Sequence, residues 1–225
     1  MSVTSPGFLR LIPPILVLLA ALACPASAED IQTLIGKAKD GNPKAQYQLG
    51  NTYYFGEGIQ HDYTEAVKWY RKAADQGYAG AQYNLGVAYH SGQGVPQDYG
   101  EALKWYRKAA DQGYAIAQYN LGVAYRFGQG VPQDYGEAVK WFREAADQGH
   151  SGAQYNLGVA YENGRGVPQD FSLAYLWFSL SASKSTDKDY NRRKSSRDDT
   201  ARKLTPEQLT KVQQMTREWE AKHPR

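Results

Sequence analysis

Four histidines, His61, His90, His150 and His223, are the residues of this chain best placed by chemistry to bind a metal or move a proton near neutral pH. Their spacing serves neither task. None stands in an H-E-x-x-H or comparable ligand pattern, and Cys24, the single cysteine, is far from all of them. The pairs Asp62/Glu65, Asp98/Glu101 and Asp134/Glu137 suggest acid–base couples when taken one at a time. Their i, i+3 spacing and their recurrence fit another role, a capping box in which each partner satisfies an orphan amide at a helix start. The Gly92-x-Gly94 pair is followed by Val-Pro and a helix start, not by the third glycine of a phosphate cradle. It reads as a helix C-cap. With no P-loop, nucleophile elbow or dinucleotide fingerprint in the chain, no catalytic residue, metal site or cofactor is expected.

The elements that carry these residues repeat every 36 positions. A-Q-Y-N-L-G-V-A-Y begins at Ala81, Ala117 and Ala153, and a looser A-Q-Y-Q-L-G-N-T-Y begins at Ala45. A fixed period of this length predicts an all-α solenoid of antiparallel helix pairs. In the copy spanning 81–116, Tyr83, Val87, His90 and Ser91 share one face of a first helix, and Gln82, Leu85, Gly86 and Tyr89 share a second. Gly92 ends that helix and Pro96 delays the next. In the second helix Ala102, Trp105, Tyr106 and Ala109 fall on one face. Small residues alternating with rings let two helices approach closely and still bury aromatic area, so Trp105 and its counterpart Trp141 are expected in the core.

The L-G-x-x-Y of Leu85, Gly86 and Tyr89 resembles the tetratricopeptide repeat. The G-x-G-V-P-Q-D-Y loop and the A-x-K-W-Y-R-K-A-A-D-Q-G run resemble its Sel-one-like branch, which has a longer loop between the helices. The resemblance implies repeats at 45–80, 81–116, 117–152 and 153–183, and a non-enzymatic interaction scaffold. Some cysteine-rich secreted members are associated with penicillin binding, which keeps a β-lactam or cell-wall-peptide hydrolase as a rival. Those members brace each repeat with paired cysteines, which this chain lacks.

The flanks differ from the array. Arg10, the apolar run Leu11–Ala23 and the A-x-A of Ala26 to Ala28 predict a signal peptide over 1–28 with cleavage after Ala28, and so a periplasmic or secreted protein. Acylation of Cys24 is the alternative, and membrane attachment is expected only in that case. Residues 29–44 predict a capping half-repeat, with a lone helix over Ile31–Asp40. Residues 184–225 predict capping helices, the last opened by Thr205-Pro206-Glu207-Gln208. Charge divides at the same boundary: 29–183 holds 13 Lys/Arg against 16 Asp/Glu, a net of −3, and 184–225 holds 12 against 7, a net of +5. A basic end suits anionic lipid or polymer, or is simply a solvated helical face. The secretory leader argues against a nucleic-acid partner.

Specificity is sought where near-identical repeats differ. Repeats 81–116 and 117–152 are identical at 28 of 36 positions. Across the four copies, two adjacent positions vary most: Tyr54-Phe55, His90-Ser91, Arg126-Phe127 and Glu162-Asn163. The family resemblance implies that first helices line a concave groove. Tyr47, Tyr83, Tyr119 and Tyr155 would then form a ladder in it, beside Gln48, Asn84, Asn120 and Asn156, ready to hold a protein or peptide. The same ladders equally suit a purely structural role between repeats.

Overall fold

The structure, a computed structural model, describes residues 28–183 and 189–223. Cys24, Ala26 and the apolar run before them lie outside the described residues. Eleven helices follow one another without a strand among the described residues. α1 (Ala28–Lys39) precedes four pairs: α2 (Pro43–Phe55) with α3 (Tyr63–Asp75), α4 (Ala79–Ser91) with α5 (Tyr99–Ala110), α6 (Ala115–Phe127) with α7 (Tyr135–Asp147), and α8 (Ser151–Asn163) with α9 (Phe171–Ser183). α10 (Tyr190–Ala201) and α11 (Pro206–Lys222) close the chain. Each first helix begins two residues before the A-Q-Y token.

Within each pair the helices meet at a glycine. Gly50, Gly86, Gly122 and Gly158 lie directly under the rings of Tyr70, Tyr106, Phe142 and Phe178. Any Cβ there would overlap the ring. The glycine after each first helix, such as Gly92 at φ 73°, takes the left-handed C-cap and donates its N–H to Ala88. The second helices start as expected in one respect only. Asp98 accepts from the Glu101 amide at 2.9 Å, and Asp62 and Asp134 do likewise, but Glu65, Glu101 and Glu137 do not reach back. Each binds the lysine three residues on, Lys68, Lys104 or Lys140. The charged partner on the same face outcompetes a solvated cap amide, so the reciprocal box is not formed. It is formed at Thr205 and Gln208, where the neutral amide is not drawn to Lys211.

Two polar ladders join the repeats. Gln46, Gln82, Gln118 and Gln154 are buried, and each donates to the last-turn carbonyl of the preceding second helix, at Ala38, Ala74, Ala110 and Ala146 (Ala38 belonging to α1). Gln76, Gln112 and Gln148 donate in turn to Gln46, Gln82 and Gln118, each at 2.7 Å. On the outer side Arg71, Arg107 and Arg143 donate to the hydroxyls of Tyr89, Tyr125 and Tyr161 one repeat on. They also lie against Trp105, Trp141 and Trp177. Trp105 and Trp177 are buried, whereas Trp141, expected in the core beside Trp105, is only half-buried. Lys108 covers the Trp105 ring at 4.0 Å. Glu144 takes that place beside Trp141, but the lysine does not decide the burial, since Lys72 lies over Trp69 at 4.1 Å and Trp69 is half-buried too.

α9 is the most apolar helix of the array, with Ala174 to Phe178 and Leu180 to Ala182 all buried. It is covered by α8, α10 and α11. α10 runs alongside α8: Arg192 lies over the Tyr155 ring at 4.8 Å, and Thr200 donates to Glu162. It therefore stands where the first helix of a fifth repeat would stand. α11 seats Val212 in the core and sets Trp219 edge-on to Trp177.

Candidate binding groove

The first helices α2, α4, α6 and α8 follow one another along one side of the stack, α6 touching α8 directly, and α10 stands at the end of that row. This is the face that the family resemblance assigns to a groove.

On that face the tyrosine ladder is half-buried. Tyr47, Tyr83, Tyr119 and Tyr155 each pack on the ring of the paired second helix, at centroid distances of 6.2, 5.8, 5.9 and 5.4 Å to Tyr70, Tyr106, Phe142 and Phe178. Burial pushes the Tyr83 hydroxyl above its usual range and the Asn120 amide beside it pulls the other way. The amides serve neighbouring repeats: Asn84 donates to Asn51 at 3.0 Å, and Asn156 is buried and accepts from Arg126 at 2.6 Å. Gln48 is exposed.

The variable pairs divide cleanly. Phe55 is 65 % exposed and Phe127 60 % exposed, large rings presented to solvent at the ends of alternate first helices. Tyr54 stacks edge-on against Phe55 and donates to Gln93, and His90 faces Tyr99. Arg126 is half-buried and bridges two repeats, with its guanidinium also 5.0 Å from the Phe127 ring. Glu162 is taken by the cap, where it holds Lys203 at 2.9 Å and Thr200. Asn163 is exposed and bonds back to Val159. Sequence reasoning missed that α10 occupies the end of the groove. The signal was there as helical i, i+3 and i+4 ion pairs, Asp189 with Arg192 and Arg193, and Asp199 with Arg202. With Arg197 on Asp198, these pairs engage four of the twelve basic residues of this segment within it.

Each histidine lies against a ring of its own: His61 on Tyr63, His90 on Tyr99, His150 on Tyr119 and His223 on Trp219. Among the described residues no three His, Cys, Asp or Glu side chains converge as metal ligands. His150 caps α8, its Nδ1 accepting from the Ala153 amide at 3.2 Å. Burial, with Arg193 of α10 nearby, lowers its pKa below the usual histidine value. The unfolded chain therefore takes up the proton first as pH falls, and the stability from neutral His150 is complete above the ordinary histidine pKa and lost below it. A urea midpoint that falls between pH 7.5 and pH 5 is expected. The fall should be smaller in His150→Tyr, which installs the residue found at Tyr78 and Tyr114. An equal fall in both proteins would show that His150 does not contribute.

Paired helices stacked in register around an inner face of half-buried tyrosines define a tetratricopeptide-like α-solenoid, a class of interaction scaffold. The Sel1 repeat pattern matches residues 43–78, 79–114, 115–150 and 151–185 in unbroken succession, and the chain belongs to the Sel1 repeat family. A Sel1 repeat protein of Oxalobacter formigenes shares the fold at TM-score 0.69 and 28 % identity, over 90 % of this chain and 98 % of that one. The c5321 protective antigen of uropathogenic Escherichia coli, which displays an SLR fold, is 47 % identical at TM-score 0.68, over 69 % of this chain and 33 % of that one. HRD3A of Arabidopsis thaliana, an ERAD-associated E3 ubiquitin-protein ligase component, is 46 % identical over 50 residues, which are 22 % of this chain and 7 % of that protein. The chain thus spans a third or less of the length of the last two. Sel1 repeat proteins are in general non-catalytic scaffolds that mediate protein interactions.

Proposed function

We propose that this protein is an exported adaptor that holds a peptide or extended segment of a partner protein along the inner face of its solenoid. The observation that carries the reading is the pair of exposed rings, Phe55 and Phe127, at the most variable position of an otherwise uniform array. Large apolar side chains left in solvent at one edge of a groove are the usual anchors of an interface. Arg126 belongs to the groove wall rather than to the free surface, because its guanidinium is committed to Asn156.

The test is Phe55→Ser with Phe127→Ser, each taking the serine found at Ser91. Neither ring is in the core, so an unchanged melting temperature is expected. Partner recovery from the native envelope fraction, quantified by mass spectrometry, should fall by about tenfold or more, the loss of hot-spot anchors. Lys104→Ala, on the outer surface, should leave recovery unchanged. Equal recovery with all three proteins would remove the groove reading. Export rests on Arg10, the apolar run from Leu11 and the small residues Ala26 and Ala28. A mature amino terminus at Glu29 supports it, and a lipid-modified Cys24 would place the scaffold on a membrane instead.

A further inference from the structure

Three junctions between consecutive repeats, 36 residues apart, are built from nearly the same residues and end in different states. In the first, Tyr54 takes the variable position, its ring 5.1 Å from Tyr63 and its hydroxyl bonded to Gln93. In the third, Arg126 fills it. Its guanidinium donates to Asn156 Oδ1 at 2.6 Å, and Arg165 lies over the Tyr135 ring at 5.6 Å. The space left among these groups is about 20 Å³. The second junction has His90 in the place of Arg126 and Gln129 in the place of Arg165. His90 turns to the Tyr99 ring at 5.1 Å, and a cleft of about 410 Å³ remains. Tyr83, His90, Tyr99, Tyr106 and Asn120 are among the residues that line it.

The chain therefore holds its own template for what this cleft accepts. Asn120 stands where Asn156 receives the guanidinium of Arg126, and Tyr99 stands where Tyr135 is covered by a second one, that of Arg165. We propose that the cleft between the second and third repeats receives the arginine side chain of a bound peptide, seated as Arg126 is seated one repeat later. The proposal rests on the groove reading above and specifies the chemistry of its partner.

The lining suits that occupant. A guanidinium carries five donors and no acceptor, so it needs oxygens and ring faces around it. Asn120, Tyr83 and Tyr106 line the cleft together, so amide and hydroxyl oxygens are available to a guanidinium. Tyr106 adds a hydroxyl that Phe142 lacks at the third junction. No lysine or arginine lines the cleft to repel a cation. The array from 29 to 183, with 13 Lys/Arg against 16 Asp/Glu, attracts one. A lysine ammonium lacks the planar fork that matches an amide oxygen and a ring together.

The probes are three blocked tripeptides, acetyl-Gly-Arg-Gly-amide and its lysine and leucine counterparts, titrated into the ¹⁵N-labelled protein. The reporters are the side-chain amide resonances of Asn120 and Asn156. With the wild type, the arginine probe should shift Asn120 saturably and leave Asn156 in place. Its affinity should exceed that of the leucine probe by about tenfold or more, the worth of one charge-assisted hydrogen bond. His90→Arg supplies the cleft with a guanidinium of its own and should abolish the shift. Arg126→His with Arg165→Gln opens the third junction, and both asparagines should then respond. Equal affinity for the leucine probe, or an undiminished Asn120 shift in His90→Arg, would overturn the proposal. Should His90→Arg not fold, the double variant decides, and silence at Asn156 in a helical protein overturns it equally. If partner capture still depends on Phe55 and Phe127 while the arginine probe is silent, only the cleft assignment falls. If capture is indifferent to both rings, the groove reading itself falls.

Discussion

A chain ended after Ser183 is expected to aggregate, or to melt well below the full-length protein. The reason lies in α9, whose buried residues Tyr175, Leu176, Trp177 and Leu180 belong to one cluster with Val212, Leu209, Met215 and Trp219 of α11. Removal of α10 and α11 would expose several of these side chains together. Each large apolar side chain brought from the core into water costs about 1.5–3 kcal/mol, and a few of them amount to most of a domain's stability. A solenoid end without a polar cap is also insoluble as a rule. Size-exclusion chromatography and thermal melts of the truncated and full chains make the check. A monomeric truncation with an unchanged melt would mean that the two last helices contribute no cover.

The second large effect is expected inside the fourth pair. Phe178 is fully buried and its ring lies over Gly158, where an added Cβ would stand 2.5 Å from the ring carbons. Phe178→Ala should cost about 3–5 kcal/mol through the cavity it leaves. Gly158→Ala should cost about 1–3 kcal/mol, because the ring has no room to retreat in a packed core. The two costs should not add. Once the ring is gone the new methyl meets open space, and the double variant should be less destabilised than the sum. Gly36→Ala is the contrast: nothing lies within 4 Å of that position in α1, and the change should stabilise by up to about 1 kcal/mol. Urea midpoints of the four variants and the wild type measure all of this, and additive costs would contradict the direct ring-on-glycine contact.

Much of this architecture was legible because repetition averages out local ambiguity. Leu85 and Ala102 recur in each copy, and Ala109 in the first three, so their burial follows from the period, as does the C-cap at Gly92. What was not legible depends on competition between partners. Glu101 has a cap amide and Lys104 within reach, and only geometry decides between them. Trp141 shares the motif of Trp105, yet its flank is more open. The variability of the repeats singled out the positions of Phe55 and Phe127, both of which are exposed. The commitment of Arg126 to Asn156 and of Glu162 to the cap was not foreseen, because both partners lie in neighbouring units that no local pattern reveals.

The glutamine ladder bears on how such a chain lengthens. Gln82 reaches back to Ala74 and is itself reached by Gln112, and Gln118 repeats the arrangement one unit later. Every seam therefore presents the same lock to the same key. If the stretch from 79 to 114 were cut out, Gln118 would find the carbonyl of Ala74 where it had found that of Ala110, and no donor would lose its acceptor. A cut one residue longer or shorter would misalign the seam at the scar, while the seams beyond it, each set by its own spacing, would keep their bonds. Whole units can thus be gained or lost without breaking the ladder at the scar. The reach of the groove becomes a quantity that heredity adjusts in fixed steps, while the end pieces stay the same.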